Sequence, residues 1–241
     1  SMLIALPMFA AFEAHVVNVT ATIDNALSVQ TDPLVFGNML PQEVAHKFFN
    51  VELSAAFLSP NNTNATDVSY FLRQKPKCGL DANQIGAPYA QVSGEDPVSG
   101  VFHCPTNYHL MPLLCPYLSK HETTTDGTGE NDGPGINSFH GPTATLSWTL
   151  AIAQSFDVAG LLSKNHGDNG DNWDIDLHAP CLEGQCAQDW AAYVHAQAPQ
   201  ADPFAYDLDP ALEHVQLGCD LWVEVNGISI STPPAPPQDV I

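Results

Sequence analysis

The stretch Trp173-Asp174-Ile175-Asp176-Leu177 alternates apolar and polar residues, which is the pattern of a strand with one buried face. The same alternation occurs in Phe49-Asn50-Val51-Glu52-Leu53, inside a longer extended run from Val44 to Phe57. Because successive side chains of a strand point to opposite faces, each stretch places its apolar residues on one side. Both are therefore predicted to be half-buried strands around a common core.

Further short strands are predicted outward from these two in both directions. They lie at residues 16–23, Leu27–Val29, Pro33–Phe36, Val68–Leu72 and Leu221–Ile230. Ala187–Gln197 has apolar residues at helical spacing and predicts a short helix, whereas Thr143–Phe156 is compatible with a strand or a helix. Together these elements predict a mainly β fold, a jelly-roll or immunoglobulin-like two-sheet sandwich with a short helix.

The chain is expected to divide into three parts. Residues 1–22 form an N-terminal segment, residues 23–230 form the sandwich domain, and residues 231–241 form a Pro-rich tail. Residues 79–142 are rich in Gly, Pro, Asn and Asp and are too long for an ordinary loop, so they are predicted to be an insertion. The four tryptophans, Trp148, Trp173, Trp190 and Trp222, are expected to pack in the core.

The charge balance excludes several classes of partner. The chain has 27 acidic and 6 basic residues, for a formal net charge of −21. Such a surface repels a phosphate backbone and an anionic membrane, so neither nucleic acid nor a lipid surface is expected as a partner. The uncharged stretch Met2–Phe12 is too short to span a bilayer as a helix. We expect it to belong to the mature protein and to be buried.

Six cysteines form an even set with no C-x-x-C pair, which disfavours a zinc ribbon or a thioredoxin site. Disulfides in an oxidising, extracellular compartment are the simplest interpretation, and the insertion is expected to be stapled by them. Cys181 and Cys186 are close enough in sequence to clip a local loop, while the other pairings stay open. The six residues are Cys78, Cys104, Cys115, Cys181, Cys186 and Cys219.

Three triplets have the form of N-glycosylation acceptors, at Asn18, Asn61 and Asn64. Their alternative interpretation is chance occurrence in a chain rich in Asn and Thr.

Two acidic, Gly-containing loops are candidate calcium sites, because carboxylates on a flexible loop suit calcium. Neither has EF-hand spacing, and the alternative is a solvated acidic loop. Catalytic signatures such as His-Glu-x-x-His and Gly-x-Ser-x-Gly are absent, so no enzyme is expected. The candidate calcium ligands are Asp126, Glu130 and Asp132 in the first loop and Asp168, Asp171 and Asp174 in the second.

Residues 36–43, Phe-Gly-Asn-Met-Leu-Pro-Gln-Glu, form a predicted turn between two strands, and Phe49-Asn50-Val51-Glu52-Leu53-Ser54 follows. This layout resembles the TasA/camelysin family of biofilm-matrix fibre proteins, in which an F-G-x-x-x-P-G-E-like turn precedes a strand of the F-x-V-x-L-S type. Gln42 stands where that family usually has Gly. The resemblance covers residues 16–58 and implies a jelly-roll subunit that polymerises by strand donation.

The N-terminal segment is the expected donor strand. Its apolar side chains fall on both faces, as expected for a strand buried between two sheets. Leu3, Phe9, Val17 and Val19 share one face, and Met2, Ile4, Leu6, Met8 and Phe12 share the other. A head-to-tail contact of this kind does not close on itself and so generates a homopolymeric filament. In the alternative, the segment folds back and completes its own sandwich.

These observations favour a structural subunit of an extracellular fibre or pilus, active in a biofilm matrix or in adhesion. Two other functions stay open. One is a secreted monomeric binding module, whose exposed tryptophans would cluster on one face. The other is a secreted metal-dependent hydrolase, whose activity a chelator would abolish.

Overall fold

The fold is seen in a computed structural model, which describes residues 23–30, 32–80, 91–92, 94–96, 98–123 and 135–230. Within these ranges the chain forms twelve strands and two α-helices. The strands are β1 (Leu27–Val29), β2 (Val44–Leu53), β3 (Ala65–Lys75), β4 (Lys77–Gly79), β5 (Gln91–Val92), β6 (Gly94–Glu95), β7 (Phe102–His103), β8 (His109–Leu110), β9 (His121–Glu122), β10 (Val158–Ser163), β11 (Gly170–His178) and β12 (Asp220–Ile230). The helices are α1 (Leu150–Ser155) and α2 (Trp190–Gln197), and single 3-10 turns lie at Cys115–Tyr117, Thr145–Ser147, Pro203–Ala205 and Pro210–Leu212.

Two larger antiparallel sheets form the body of the protein. Sheet A has the strand order β1-β2-β11-β9, and sheet B has the order β10-β3-β12. Two smaller antiparallel sheets, β5-β4-β8 and β6-β7, lie in and beside the predicted insertion. The predicted mainly β sandwich with few, short helices is confirmed.

The core lies between sheets A and B and is built from their inward-facing residues. Alternation along each strand sends every second side chain inward, and each large apolar side chain so buried contributes about 1.5–3 kcal/mol. The inward residues are Phe49, Val51 and Leu53 from β2, Trp173, Ile175 and Leu177 from β11, and Val68, Tyr70 and Leu72 from β3.

A polar bridge crosses this core between the two sheets. The hydroxyl of Tyr70, on β3, donates a hydrogen bond to the carboxylate of Asp171, on β11. The same oxygen accepts a hydrogen bond of 2.8 Å from the indole Nε1 of Trp173. Gly160 on β10 leaves room for the phenol ring, because a Cβ at this position would lie 2.2 Å from Tyr70 Cζ. The absence of a side chain at Gly160 therefore allows the bridge to form.

The second half of the predicted insertion contributes to the core. Tyr117, Leu118 and Phe139 are all buried in the main hydrophobic cluster. Strand β9 adds to the edge of sheet A by pairing with β11. Residues 79–142 thus combine small peripheral sheets with side chains that complete the sandwich.

Most of the predicted elements are present: β3 and β11 are longer than predicted, β1 has the predicted length, and β2 ends before the predicted Phe57. The strand predicted at Pro33–Phe36 is wrong: this segment is irregular, although Leu34 and Phe36 pack against the core. Pro33 lacks the N–H that a ladder needs, and Leu34 and Phe36 are partly buried without strand pairing. The strand predicted at residues 16–23 lies almost wholly outside the described residues.

The ambiguous segment Thr143–Phe156 is partly helical. It contains a 3-10 turn and helix α1, whose N-terminus is capped by Thr149 Oγ1, which accepts a hydrogen bond of 3.3 Å from the amide of Ile152. The helix predicted at Ala187–Gln197 is confirmed as the shorter α2.

Trp148, Trp173 and Trp190 are buried as predicted, whereas Trp222 is only partly buried. None of the helices in the described part of the chain is long and apolar enough to cross a membrane.

Three disulfides link all six cysteines, in agreement with the expected disulfide framework. Cys181–Cys186 is the predicted local clip. Cys78–Cys104 ties β4 to the residues after β7, and Cys115–Cys219 ties a 3-10 turn to the start of β12 across 104 residues of sequence. Disulfides of this kind are typical of secreted and extracellular proteins.

A buried lysine is held in the core by neutral oxygen acceptors. Lys120 has no accessible surface, and its Nζ donates to Gln74 Oε1 at 3.0 Å and to the carbonyl of Phe156 at 2.7 Å. Burial lowers the pKa of Lys120 to about 7, and the nearby carboxylate of Asp157 offsets only part of this effect. In the folded state the neutral amine is thus favoured above about pH 7, far below the pH at which an ordinary lysine loses its proton.

The long-range disulfide is expected to stabilise the fold more than the local one. Because loop-closure entropy grows with loop length, losing the 104-residue link of Cys115–Cys219 is expected to cost about 5 kcal/mol, against about 2 kcal/mol for the 5-residue link of Cys181–Cys186. Urea unfolding of the two paired Cys→Ala variants measures both values. Equal losses would contradict this assignment.

The buried amine also predicts a pH dependence of stability. An unfolded lysine has a pKa near 10, so from about pH 7 to 10 the unfolded state binds one more proton than the folded state. The free energy of unfolding is therefore expected to rise with pH in this window, by about 1 kcal/mol per pH unit from Lys120. Lys120→Met should remove this rise, and the matched control Lys164→Met should keep it. Parallel pH profiles for the wild type and Lys120→Met would refute the prediction.

Candidate functional site

Strand β12 is an edge strand of sheet B in the described part of the chain. Within the described residues, β12 pairs with β3 on one side and with no strand on the other. It is an eleven-residue strand, and its second half is largely exposed. An unpaired edge presents a row of N–H and C=O groups to which another strand can bind.

The second half of β12 also leaves core-facing apolar side chains uncovered. Val225 is opposite Tyr70, and Ile228 is opposite Val68, so both share the inward face of sheet B. Their partners on β3 are buried, but Val225 is 43% and Ile228 is 45% exposed. A bulge between Val225 and Gly227 keeps both side chains on the inward face, because it inserts one extra residue. Within the described residues, the core is therefore incomplete at this edge.

At the opposite edge of sheet B, the inward side chains of β10 are covered. Strand β10 pairs with β3 through Val158 opposite Leu72 and Leu162 opposite Val68. Both of these inward side chains are buried, at 3% and 0% exposure. Only β12 among the two edge strands of sheet B thus combines an open ladder with uncovered apolar side chains.

The turn before β2 contains two residues with positive φ. Gly37 has φ +79° and Gln42 has φ +63°, both in the left-handed region that favours glycine. Gln42, where the fibre family usually has Gly, thus takes the backbone conformation that a glycine would adopt most easily.

The structure does not bring the three predicted calcium ligands of the second loop together. Asp168 is buried in the turn before β11, and Asp171 points inward to Tyr70. Asp174 lies on the opposite, outward face of β11 because it is three positions further along the strand. The first loop, with Asp126, Glu130 and Asp132, lies outside the described residues.

The remaining predicted sites are only partly described. Asn61 and Asn64 are exposed in the turn between β2 and β3, where a glycan could be attached. Asn18 and the donor residues Met2–Val19 lie outside the described residues.

A cluster that the sequence analysis did not identify lies on the outward face of sheet A. His46 Nδ1 on β2 is in direct contact with a carboxylate oxygen of Asp176 on β11, and lies 3.4 Å from Asp174 Oδ2. One potential ligand atom from each of the three residues lies within 4.8 Å of the others. His121 on β9 is directly opposite Asp174 in the ladder and borders the cluster.

The electrostatics of this cluster are set by two neighbouring carboxylates. Partial burial raises the pKa of Asp174, and its proximity to Asp176 raises it further, while His46 acts in the opposite direction. Asp174 Oδ1 is shielded from solvent and accepts no hydrogen bond from a described residue. Burial also lowers the pKa of His178, which follows Asp176 on the same face of β11. The cluster thus presents oxygen and nitrogen donors, with two carboxylates against a single imidazole.

Comparison of the chain with protein-family models, curated proteins and solved structures gives no match.

Proposed function

We propose that this protein is the structural subunit of an extracellular fibre, in which the N-terminal segment of one copy adds as a strand to β12 of the next. The observation that carries the proposal is the open edge of β12 with Val225 and Ile228 on the inward face yet exposed. An inserted apolar strand would pair with this edge and cover these side chains at the same time.

The proposed donor has the matching chemistry. Residues 2–12 contain no charge and carry apolar side chains on both faces, so either face could cover the exposed inward side chains of β12. Each donor or acceptor side chain that becomes buried contributes about 1.5–3 kcal/mol, and each new backbone hydrogen bond adds to this. The resemblance of residues 16–58 to the TasA/camelysin family supports the same mode of assembly, which requires no catalytic site.

The acceptor is confined to the second half of β12. The first half is held in place by Cys115–Cys219 and by the Lys77–Asp220 ion pair, whose Nζ and Oδ1 lie 2.6 Å apart. Beyond it, Ile230 is 67% exposed. A donor strand is therefore proposed to bind along Val225–Ile230, anchored by a part of β12 that is already fixed.

Deletion of the donor tests the proposal from one side. A chain lacking residues 1–15 should stay folded and soluble, with its three disulfides, and should form no filaments by negative-stain electron microscopy. A synthetic peptide of residues 2–22 should then bind to the truncated chain at a ratio of one to one. Normal filaments from the truncated chain would refute strand donation.

A charge placed on the acceptor tests it from the other side. Ile228→Lys is expected to block polymerisation, because insertion of a donor strand would bury the ammonium group without a partner. Val98→Lys is the matched control, since Val98 is 94% exposed and distant from β12 in sequence. This control should polymerise as the wild type does. Filaments from Ile228→Lys with wild-type yield would contradict β12 as the acceptor, provided that both variants melt like the wild type.

A further inference from the structure

The three residues of the histidine–aspartate cluster converge because of strand register. Asp174 and Asp176 are two positions apart on β11 and therefore share its outward face. His46 on β2 is directly opposite Asp176, so its imidazole projects from the same face. Since all three are carried by the two central strands of sheet A, their spacing is fixed by backbone pairing and not by a loop.

The donor set has the geometry of a cation site. Its three potential ligand atoms lie within 4.8 Å of one another, so one ion could contact all of them. The side chains of Asp174 and Asp176 are only 22% and 17% exposed, which reduces the screening of their mutual repulsion by water. Asp174 Oδ1, which is shielded from solvent, accepts no hydrogen bond within the described structure. A bound cation would offset the repulsion between the two carboxylates and would give Asp174 Oδ1 a partner.

We propose that His46, Asp174 and Asp176 bind a divalent transition-metal ion of the zinc class on the outward face of sheet A. An imidazole nitrogen with two carboxylates suits zinc, whereas calcium requires six to eight oxygen ligands on a flexible frame. Three protein ligands leave one tetrahedral position open. His121 lies opposite Asp174 on β9 but is not among the residues whose ligand atoms lie within 4.8 Å of one another, so water is expected at the open position.

Titration calorimetry of the EDTA-stripped full chain with zinc chloride tests the proposal. The wild type should show one saturable site that His46→Ala and Asp176→Asn each lose. Their affinity should fall by about 100-fold or more, since loss of even an outer partner of a metal ligand costs about 10- to 100-fold. The matched control is His214→Asn, because His214 is 82% exposed and asparagine tolerates its positive φ of 62°.

A second readout separates specific binding from weak association with the other histidines. Zinc should raise the melting temperature of the wild type and of His214→Asn, because a ligand that binds only the folded state stabilises it. It should leave the melting temperatures of His46→Ala and Asp176→Asn unchanged. Calcium should not compete with zinc. The proposal is overturned if the wild type has no saturable site, or if both ligand variants titrate as the wild type does.

Discussion

The hydrogen bonds that join Tyr70 to Asp171 and Trp173 are the constraint on which the rest of the structure depends. They connect β3 of sheet B with β11 of sheet A inside the core. A buried carboxylate is costly without partners, so this bridge favours one register and one facing of β11. With Asp171 and Trp173 turned inward, Asp174 and Asp176 must turn outward, where β2 brings His46 beside them. The candidate metal site is thus a consequence of the packing of the core.

Strand β3 is the centre of sheet B, and its two neighbours differ. On one side β10 buries its inward side chains, and on the other β12 leaves Val225 and Ile228 exposed. The net charge of −21 disfavours non-specific association between copies, especially at low ionic strength. Strand addition through an N-terminal segment whose residues 2–12 are uncharged is a mode of self-association that this charge opposes least. We expect salt to promote assembly for the same reason.

The sequence predicted the fold well where a pattern is local. Alternation in β2 and β11 identified half-buried strands, and the spacing of Cys181 and Cys186 identified a clip. The sequence patterns did not predict features that depend on pairing between distant segments. His46 and Asp176 are 130 positions apart, and only the register of β2 with β11 brings them together. Likewise the density of Asp from 168 to 176 predicted one acidic loop, but because a strand begins at Gly170, Asp171 and Asp174 point to opposite faces. At Pro33–Phe36 the predicted strand is absent, although Leu34 and Phe36 pack against the core.

The central claim is that the open edge of β12 is completed by the N-terminal segment of a neighbouring copy. Amide hydrogen exchange across Val225–Ile230 measures this most directly, because the amides on the unpaired side of β12 are protected only when another strand binds there. The account predicts slow exchange in assembled full-length protein, and fast exchange both in the chain lacking residues 1–15 and in dilute unassembled full-length protein. Equal exchange rates in the assembled and truncated proteins would contradict it. Slow exchange in the dilute monomer would instead show that the segment completes its own sandwich.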